Sequence, residues 1–366
     1  MSIRTIGKFA AAFSLAACSA AEQAPSAPSG PDIPALMSAA KVPGLAIAVI
    51  DDCKIDDVSY YGVADVETGE AIGPDTIFEG ASLTKTIFTV IVNQLADEGV
   101  IDLDEPLAAS FDYPRVTDQQ AYATLTPRII LAHRSGFPNW ASDPNDEETW
   151  GEIAFKNAPD EKFGYSGEAY QMLQAYVEAK TGESFETLFE ERFGAMMPNT
   201  FLSAPEEGAA LAFAHDDNGG KEKGRPVRPS PRAGAAYSVL TNADDYAAFL
   251  VEVHCNGAGM SEEARAEMLR PQSPTDNERI SWALGWGVQT GEPEFYFPKL
   301  YFHWGDNGQF KVFAAFNSET QDGVVYFANA KNGLKIIEPL AEPVIGDVTP
   351  MADWLDYGRL EESAPE

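Results

Sequence analysis

Apolar side chains recur along this chain with two different periods, and the change of period divides the sequence into regions. Residues 44–50 and 58–64 are short, largely apolar runs that predict the first two strands. From Leu83 the apolar positions recur at helical spacing until Gly99 ends the pattern, which predicts a helix. Helical patterns then fill much of residues 83–265. The pattern therefore places strands before a long helical region.

The last third of the chain returns to the strand pattern. Four runs predict antiparallel strands: Ile280–Val288, Leu300–Trp304, Phe310–Phe316 and Val324–Ala328. We expect both ends of the chain to form one layer, with the mostly helical region inserted between them. The predicted fold class is α+β, an antiparallel sheet flanked by helices plus a mostly helical subdomain.

The first residues have the pattern of a bacterial lipoprotein leader. Arg4 and Lys8 precede an apolar stretch, Phe9 to Ala17, that is about half the length needed to span a bilayer. It ends in a Leu-Ala-Ala-Cys sequence that closes at Cys18 and resembles a lipobox, in which the cysteine is lipidated. Ser19 is compatible with sorting to the outer membrane. An ordinary secretory signal cleaved nearby is the alternative.

Composition divides the rest of the chain. Residues 18–31 have the composition of a flexible tether, and the chain beyond them is long enough for one large domain or two subdomains. We therefore predict a signal peptide at 1–17, the tether, a folded domain at 32–345 and a C-terminal tail at 346–366. The expected location is the bacterial envelope, facing the periplasm and attached through lipidated Cys18.

The net charge limits the classes of partner that this chain can bind, and its cysteines bear on a disulfide and on a metal site. The chain has 25 Lys and Arg against 57 Asp and Glu, a net charge of −32, which argues against a nucleic-acid partner. Cys53 and Cys255 could pair in an oxidising periplasm, but the sequence does not fix the distance between them. His254 beside Cys255 has no partner at ligand spacing, so we predict no metal site and no cofactor.

The start of the predicted helix carries the candidate chemistry. Ser82 and Lys85 are three residues apart, so they share a helix face and the amine can reach the hydroxyl. The helix dipole and partial burial disfavour an ammonium there, which would let Lys85 accept the Ser82 proton near neutral pH. Alone the pattern is weak, because an N-cap serine and a solvated lysine have the same spacing.

Two distant segments support a catalytic interpretation. Tyr165, Ser166 and Gly167 stand on a loop before an amphipathic helix, and His303–Gly305 ends a strand-like run. With Ser82 and Lys85, these segments resemble the three signature elements of the serine β-lactamase and penicillin-binding-protein superfamily. Further matches extend the resemblance over roughly residues 32–345: Thr126–Pro138, Ala175–Thr200, Gly234–Asp245 and Leu284–Gly287. The pattern is most similar to the class C-like branch, which includes family VIII esterases and D-aminopeptidases.

The resemblance implies a β-lactamase/transpeptidase-like fold and acyl transfer in two steps. Ser82 would attack the carbonyl while Lys85 takes its proton, and Tyr165 would relay a proton to the leaving group and later activate water. The backbone N–H groups of Ser82 and Asp306 would hold the oxyanion. His133 is interpreted as a structural turn histidine and not as a base.

Departures from the family pattern bear on substrate. Gly167 stands where the family has Asn, and His303 and Trp304 replace the Lys and Thr of K-T-G. Losing such charge-assisted contacts would cost on the order of 1.5–3 kcal/mol of β-lactam binding. A Gly167→Asn change is expected to restore part of it. Gly167, His303, Trp304 and Gly305 remain candidate substrate-binding residues, and His303 could instead only pack on the strand edge.

We therefore expect a periplasm-facing serine hydrolase that acts on esters or small amides. Two alternatives remain: a β-lactamase or DD-peptidase of the same fold, and a catalytically silent envelope binding protein. The intact set of Ser82, Lys85 and Tyr165 argues against silence, because a binding protein has no chemical need for all three. The sequence leaves open the acyl group, the oligomeric state and any protein partner.

Overall fold

The computed structural model of the chain describes residues 30–144, 146–291 and 299–360. The strands are β1 (Gly44–Asp51), β2 (Lys54–Asp65), β3 (Glu70–Ala71), β4 (Phe78–Ala81), β5 (Phe213–His215), β6 (Lys221–Pro226), β7 (Val239–Thr241), β8 (Ser273–Pro274), β9 (Ile280–Trp282), β10 (Gly287–Thr290), β11 (Lys299–Asp306), β12 (Lys311–Asn317) and β13 (Gly323–Ala328). The α-helices are α1 (Ile33–Ala40), α2 (Thr84–Asp97), α3 (Gln119–Tyr122), α4 (Pro127–Leu131), α5 (Gly167–Thr181), α6 (Phe185–Phe189), α7 (Ala243–Val251), α8 (Glu262–Met268), α9 (Ile337–Ile345) and α10 (Thr349–Leu355). Turns of π-helix extend α6 through Glu190–Gly194 and α7 through Glu252–Asn256.

The central element is a nine-stranded sheet in the order β3-β2-β1-β13-β12-β11-β10-β9-β8. Its neighbouring strands are antiparallel throughout. The first and last parts of the chain meet where β1 pairs with β13. The predicted α+β fold, with an antiparallel sheet built from both chain ends, is confirmed.

The sheet separates two apolar cores because successive strand residues point to opposite faces. In β12, Val312, Ala314 and Phe316 face the helical region, whereas Phe313 and Ala315 pack toward α1, α9 and α10. Strand β11 follows the same alternation. This alternation decides which residues of β11 can reach the helical side of the molecule.

One strand prediction is wrong. Ile280–Val288 is two strands, β9 and β10, which pair with each other around a turn. Gly285 causes the break: its φ of +77° lies in the left-handed region, and a Cβ there would lie 2.2 Å from the Thr89 hydroxyl oxygen. The helical region also contains short strand pairs, β4 with β7 and β5 with β6.

The structure describes almost none of the N-terminal leader and tether but most of the C-terminal tail. The leader, Cys18 and nearly all of the tether lie outside the described residues. Residues 346–360, predicted as part of a tail, include α10, whose Pro350 and Met351 are buried. No described helix combines the length and the apolar character that crossing a membrane requires.

Cys53 and Cys255 form a disulfide, the pairing that the sequence left open. Their Cα atoms lie 5.9 Å apart, and the bond joins the β1–β2 turn to the π-helical turn after α7. It therefore connects the sheet to the helical region across 202 residues of sequence.

Candidate active site

Ser82 lies in a tight turn between strand β4 and helix α2. Ala81, the last residue of the strand, has a φ of +48°, so the backbone turns sharply before the serine. The Thr84 hydroxyl donates to the Ala81 carbonyl at 2.6 Å and accepts from the Val239 N–H at 2.9 Å. These bonds hold the turn against β7 and place Ser82 at the start of α2, as the apolar pattern predicted.

Gly305 of β11 packs directly against this turn. A Cβ on Gly305 would lie 2.6 Å from the Gly80 carbonyl oxygen and 2.5 Å from a Val312 methyl group. Only a residue without a side chain allows this approach of the strand to the turn. The glycine of the third motif is therefore required by packing, and it sets β11 directly against the turn that carries Ser82.

Lys85 is buried beside the nucleophile. Its Nζ lies 3.1 Å from Ser82 Oγ and donates to the Ala236 carbonyl at 2.7 Å. Only 1% of the residue is exposed, and this burial lowers the pKa of Lys85 well below its ordinary value. A neutral amine at this distance can accept the Ser82 proton.

Tyr165 faces the same amine, with its ring centroid 4.8 Å from Lys85 Nζ. Burial raises the pKa of the Tyr165 phenol above its ordinary value, and the nearby Ser82 hydroxyl offsets part of the rise. Among the described residues, no group meets both the distance and the angle of a full hydrogen bond to the phenolic oxygen. The phenol is therefore protonated, and its hydroxyl is available to a bound substrate.

His133 lies beneath Tyr165, with the two ring centroids 4.2 Å apart. Its Nδ1 accepts the Ser166 N–H at 3.1 Å, and burial, followed by the nearby Lys85, lowers the pKa of the imidazole. The turn at His133 has a φ of +53°. A neutral, fully buried histidine in this place positions the tyrosine loop, which agrees with the structural interpretation.

His303 faces the helical side of β11 and is completely buried. Its Nδ1 bonds to the Trp304 carbonyl at 2.8 Å, and its ring lies 6.1 Å from that of Tyr165. Burial first, and then the nearby Lys85, lowers the pKa of His303 to about 3, so the ring is neutral at neutral pH. The structure places His303 beside the tyrosine, and a direct role with substrate stays a prediction.

The sequence analysis missed Tyr357. The Trp304 indole N–H donates to the Tyr357 hydroxyl at 3.1 Å, and that hydroxyl donates to Asp306 Oδ2 at 2.9 Å. Asp306 also pairs with Lys311 and accepts the Gly308 N–H at 2.8 Å. Tyr357, in the predicted tail, thus holds Trp304 of the third motif and Asp306, the residue that follows the motif. The sequence signal for this contact was a pair of aromatic residues in the tail.

Gly167, in the asparagine position of the second motif, is covered by an indole. A Cβ on Gly167 would lie 2.5 Å from the ring of Trp140. Gly167→Asn alone would therefore have to displace the Trp140 indole, and the expectation that it restores an amide contact stays a prediction. Trp140 is a second residue that the sequence analysis missed.

The structure thus brings together Ser82, Lys85 and Tyr165 and sets β11 beside them. Across the residues that it describes, no three or more His, Cys, Asp or Glu side chains converge as a metal site would require. The arrangement offers a hydroxyl nucleophile, an amine whose lowered pKa favours its role as base, and a protonated phenol as acid. It is suited to acyl transfer.

Comparisons with known proteins agree with this geometry. The sequence profile of the family described as Beta-lactamase matches residues 32–340. Penicillin-binding protein 4 of Amycolatopsis lactamdurans is 27% identical over 277 residues, 69% of this chain and 72% of that protein. Protein flp of Staphylococcus aureus strain NCTC 8325 / PS 47 is 23% identical over 83% of this chain, which spans 63% of its length.

Two solved structures share the fold. The octameric penicillin-binding protein homologue from Pyrococcus abyssi has a TM-score of 0.67 at 21% identity, over 84% of this chain and 75% of that one. The D-alanine carboxypeptidase AmpC from Burkholderia cenocepacia has a TM-score of 0.69 at 21% identity, over 85% and 96%.

Proposed function

Because the chain belongs to the Beta-lactamase family of serine hydrolases, we propose that it forms an acyl-enzyme on Ser82 and hydrolyses esters or small amides. The observation that carries the proposal is the 3.1 Å approach of the Lys85 amine to the Ser82 hydroxyl. Burial lowers the pKa of that amine well below its ordinary value and so favours the neutral form, which can act as a base.

The proposed reaction moves one proton through the site in each half. Lys85 accepts the Ser82 proton as Oγ attacks the carbonyl carbon, and the N–H groups of Ser82 and Asp306 hold the oxyanion. The proton then passes through the Tyr165 phenol to the leaving alcohol or amine. Water attacks the acyl-enzyme in the second half, gives its proton to the same pair of groups, and releases the acid and Ser82.

Two features support esters over β-lactams. Trp140 fills the space over Gly167, so the side-chain amide that contacts an acylamido group in the family has neither atoms nor room here. Trp304 uses its indole N–H on Tyr357 and therefore has no donor left for a substrate carboxylate. Both polar anchors of a β-lactam would be missing.

A second candidate function is action on β-lactams or on peptidoglycan peptides. The names of the relatives favour it, since one is a penicillin-binding protein and one structural neighbour is a D-alanine carboxypeptidase. The same Ser82, Lys85 and Tyr165 would serve that chemistry. Only the substrate anchors distinguish the two candidates.

Intact-mass measurement tests the proposal. The protein is incubated with a fluorophosphonate and, separately, with penicillin, and an adduct is sought on Ser82. We expect rapid labelling by the fluorophosphonate, and short-chain p-nitrophenyl esters should have a kcat/KM at least about tenfold above that for nitrocefin. Faster hydrolysis of nitrocefin or penicillin than of every ester would favour the second candidate, and no adduct at all would favour a silent binding protein.

We also propose that the enzyme is a lipoprotein that faces the periplasm, attached through Cys18. The Cys53–Cys255 disulfide supports an oxidising compartment. Protein expressed with its own leader should partition into detergent and begin at a diacylated Cys18, because several acyl chains give stable attachment. Cys18→Ala should release it with unchanged catalytic constants. A wild-type protein that stays in the aqueous phase would favour an ordinary secretory signal.

A further inference from the structure

A cavity of about 580 Å³ is lined in part by chain neighbours of the catalytic groups. Glu79 precedes Ser82 by three residues, Asn307 follows Asp306, and Tyr237 and Ser238 follow the Ala236 carbonyl that binds Lys85. Trp140, which covers Gly167, forms another wall. The cavity therefore shares walls with the segments that carry the catalytic groups.

The residues on both sides of Trp140 are held in place by hydrogen bonds. The Asn139 side-chain oxygen accepts the Gly167 N–H at 2.9 Å, and the Asn139 carbonyl accepts the Glu168 N–H at 2.8 Å. On the other side, the Ala141 N–H donates to Glu168 Oε2 at 3.0 Å. A buried ion pair between Glu168 and Arg115 fixes that carboxylate.

The walls of this cavity are part polar and part apolar, and several of the polar groups already bond to the protein. Glu79 accepts from the Arg228 N–H at 2.8 Å and from the Asn307 amide at 2.9 Å. The Ser238 hydroxyl donates to the Leu202 carbonyl at 2.7 Å. The apolar part is an aromatic corner in which the rings of Trp140 and Tyr237 meet edge to face with centroids 5.8 Å apart, extended by Val227, Pro229 and Pro231.

From these contacts we infer that Trp140 and Gly167 together set the acyl specificity: the cavity takes an apolar acyl group without an amide next to the carbonyl. Phenylacetyl and straight chains of about six carbons have the size and chemistry for a pocket of this volume. This inference rests on the proposed function, because it concerns the acyl half of the ester that Ser82 attacks. The pair acts by size, since the indole and a side chain at position 167 cannot occupy the same space.

The first experiment compares acyl groups on one leaving group. Wild-type enzyme should hydrolyse p-nitrophenyl hexanoate and phenylacetate with a kcat/KM at least about tenfold above that for acetate, since buried methylene groups add to transition-state binding. Trp140→Ala should reduce that ratio at least threefold, and Trp140→Phe should keep most of it. Trp354→Ala, which removes a tryptophan from the strand side of the site, is the matched control and should leave the ratio unchanged.

The second experiment begins with a readout of stability that needs no turnover. Gly167→Asn alone should lower the melting temperature, whereas in a Trp140→Ala background the same change should cost little, because the indole is gone. The double variant should also gain on p-nitrophenyl N-acetylglycinate relative to hexanoate.

The outcomes separate the two proposals. A wild-type protein that hydrolyses no ester would end the proposed function and this inference with it. An active enzyme whose acyl ratio is the same in Trp140→Ala as in wild type would overturn only the inference. Additive melting-temperature changes for Gly167→Asn and Trp140→Ala would also overturn it, since the two positions would then not share one space.

Discussion

The two sides of the active site hold their groups by different means. On the helix side, Ser82 and Lys85 are three residues apart, and one turn of backbone places the amine 3.1 Å from the hydroxyl. On the strand side, Trp304 and Asp306 are joined through the hydroxyl of Tyr357, about fifty residues further along the chain. Substitutions on the helix side should therefore abolish the reaction, and substitutions on the strand side should only slow it.

The largest expected effect comes from removing the helix-side groups. Ser82→Ala should abolish hydrolysis while leaving the fold intact, because a Ser→Ala change at a helix start costs about 0.5–2 kcal/mol of stability. Lys85→Ala should be nearly as damaging, since positioned acid–base groups typically contribute about 10²–10⁴ in rate. Steady-state rates and melting curves measure both. Residual turnover within about tenfold of wild type in pure Ser82→Ala protein would remove the serine from its role.

Lowering the pH should reduce activity by protonating Lys85 on the helix side, and not by protonating His303 on the strand side. Protonated Lys85 cannot accept the serine proton, so activity should fall as pH falls through the lowered pKa of this amine, by about tenfold per unit below it. His303, with its pKa lowered to about 3, stays neutral at any pH well above that value. A pH profile of kcat/KM tests this. His303→Gln should leave the position of the acid limb unchanged, and a shift to another pH would assign the limb to the histidine.

Tyr357→Phe should have a smaller effect, because it releases Trp304 and Asp306 and leaves Ser82 and Lys85 in place. The half-buried indole N–H would lose its acceptor, and we expect kcat/KM to fall about tenfold, equivalent to about 1.4 kcal/mol. Tyr60→Phe is the matched control, since its hydroxyl also donates to an aspartate, Asp244 at 2.6 Å, but away from the site.

Two readouts check the Tyr357 prediction. Kinetics should show a loss in Tyr357→Phe and none in Tyr60→Phe. The Trp304 indole N–H resonance, assigned with a Trp304→Phe variant, should move in Tyr357→Phe alone. Equal rates in wild type and Tyr357→Phe would mean that the described tail packs on the strand without tuning the reaction.

The smallest effect on activity is expected from the disulfide, which lies on neither side of the site. Replacing Cys53 and Cys255 with Ala should lower stability by about 2–4 kcal/mol, because the bond closes a loop of 202 residues. The catalytic constants should stay within twofold of wild type. Melting curves with and without reductant measure the first effect, and ester kinetics the second. A large loss of kcat would show that the bond also shapes the cleft.

Local patterns in the sequence were sufficient for much of the fold. Apolar periodicity predicted the helix that begins beside Ser82 and the strands that bring both ends of the chain into one sheet. It failed at Ile280–Val288, because a buried strand pair and a single apolar strand have the same composition, and only the left-handed backbone at Gly285 separates them. Neither apolar period contains that information.

The sequence by itself determined the Ser82–Lys85 pair, because a helix converts a three-residue spacing into a contact whatever surrounds it. It also singled out Tyr165 and the third motif through their resemblance to a known pattern. Only the tertiary structure decided what Gly167, Trp304 and Asp306 touch. Trp140 stands 27 residues before Gly167 and Tyr357 follows Asp306 by 51, and no periodicity links residues so far apart. Such contacts form only when separate elements pack. The position of the nucleophile is therefore fixed by local structure, whereas the residues that surround the substrate are positioned by the assembled fold.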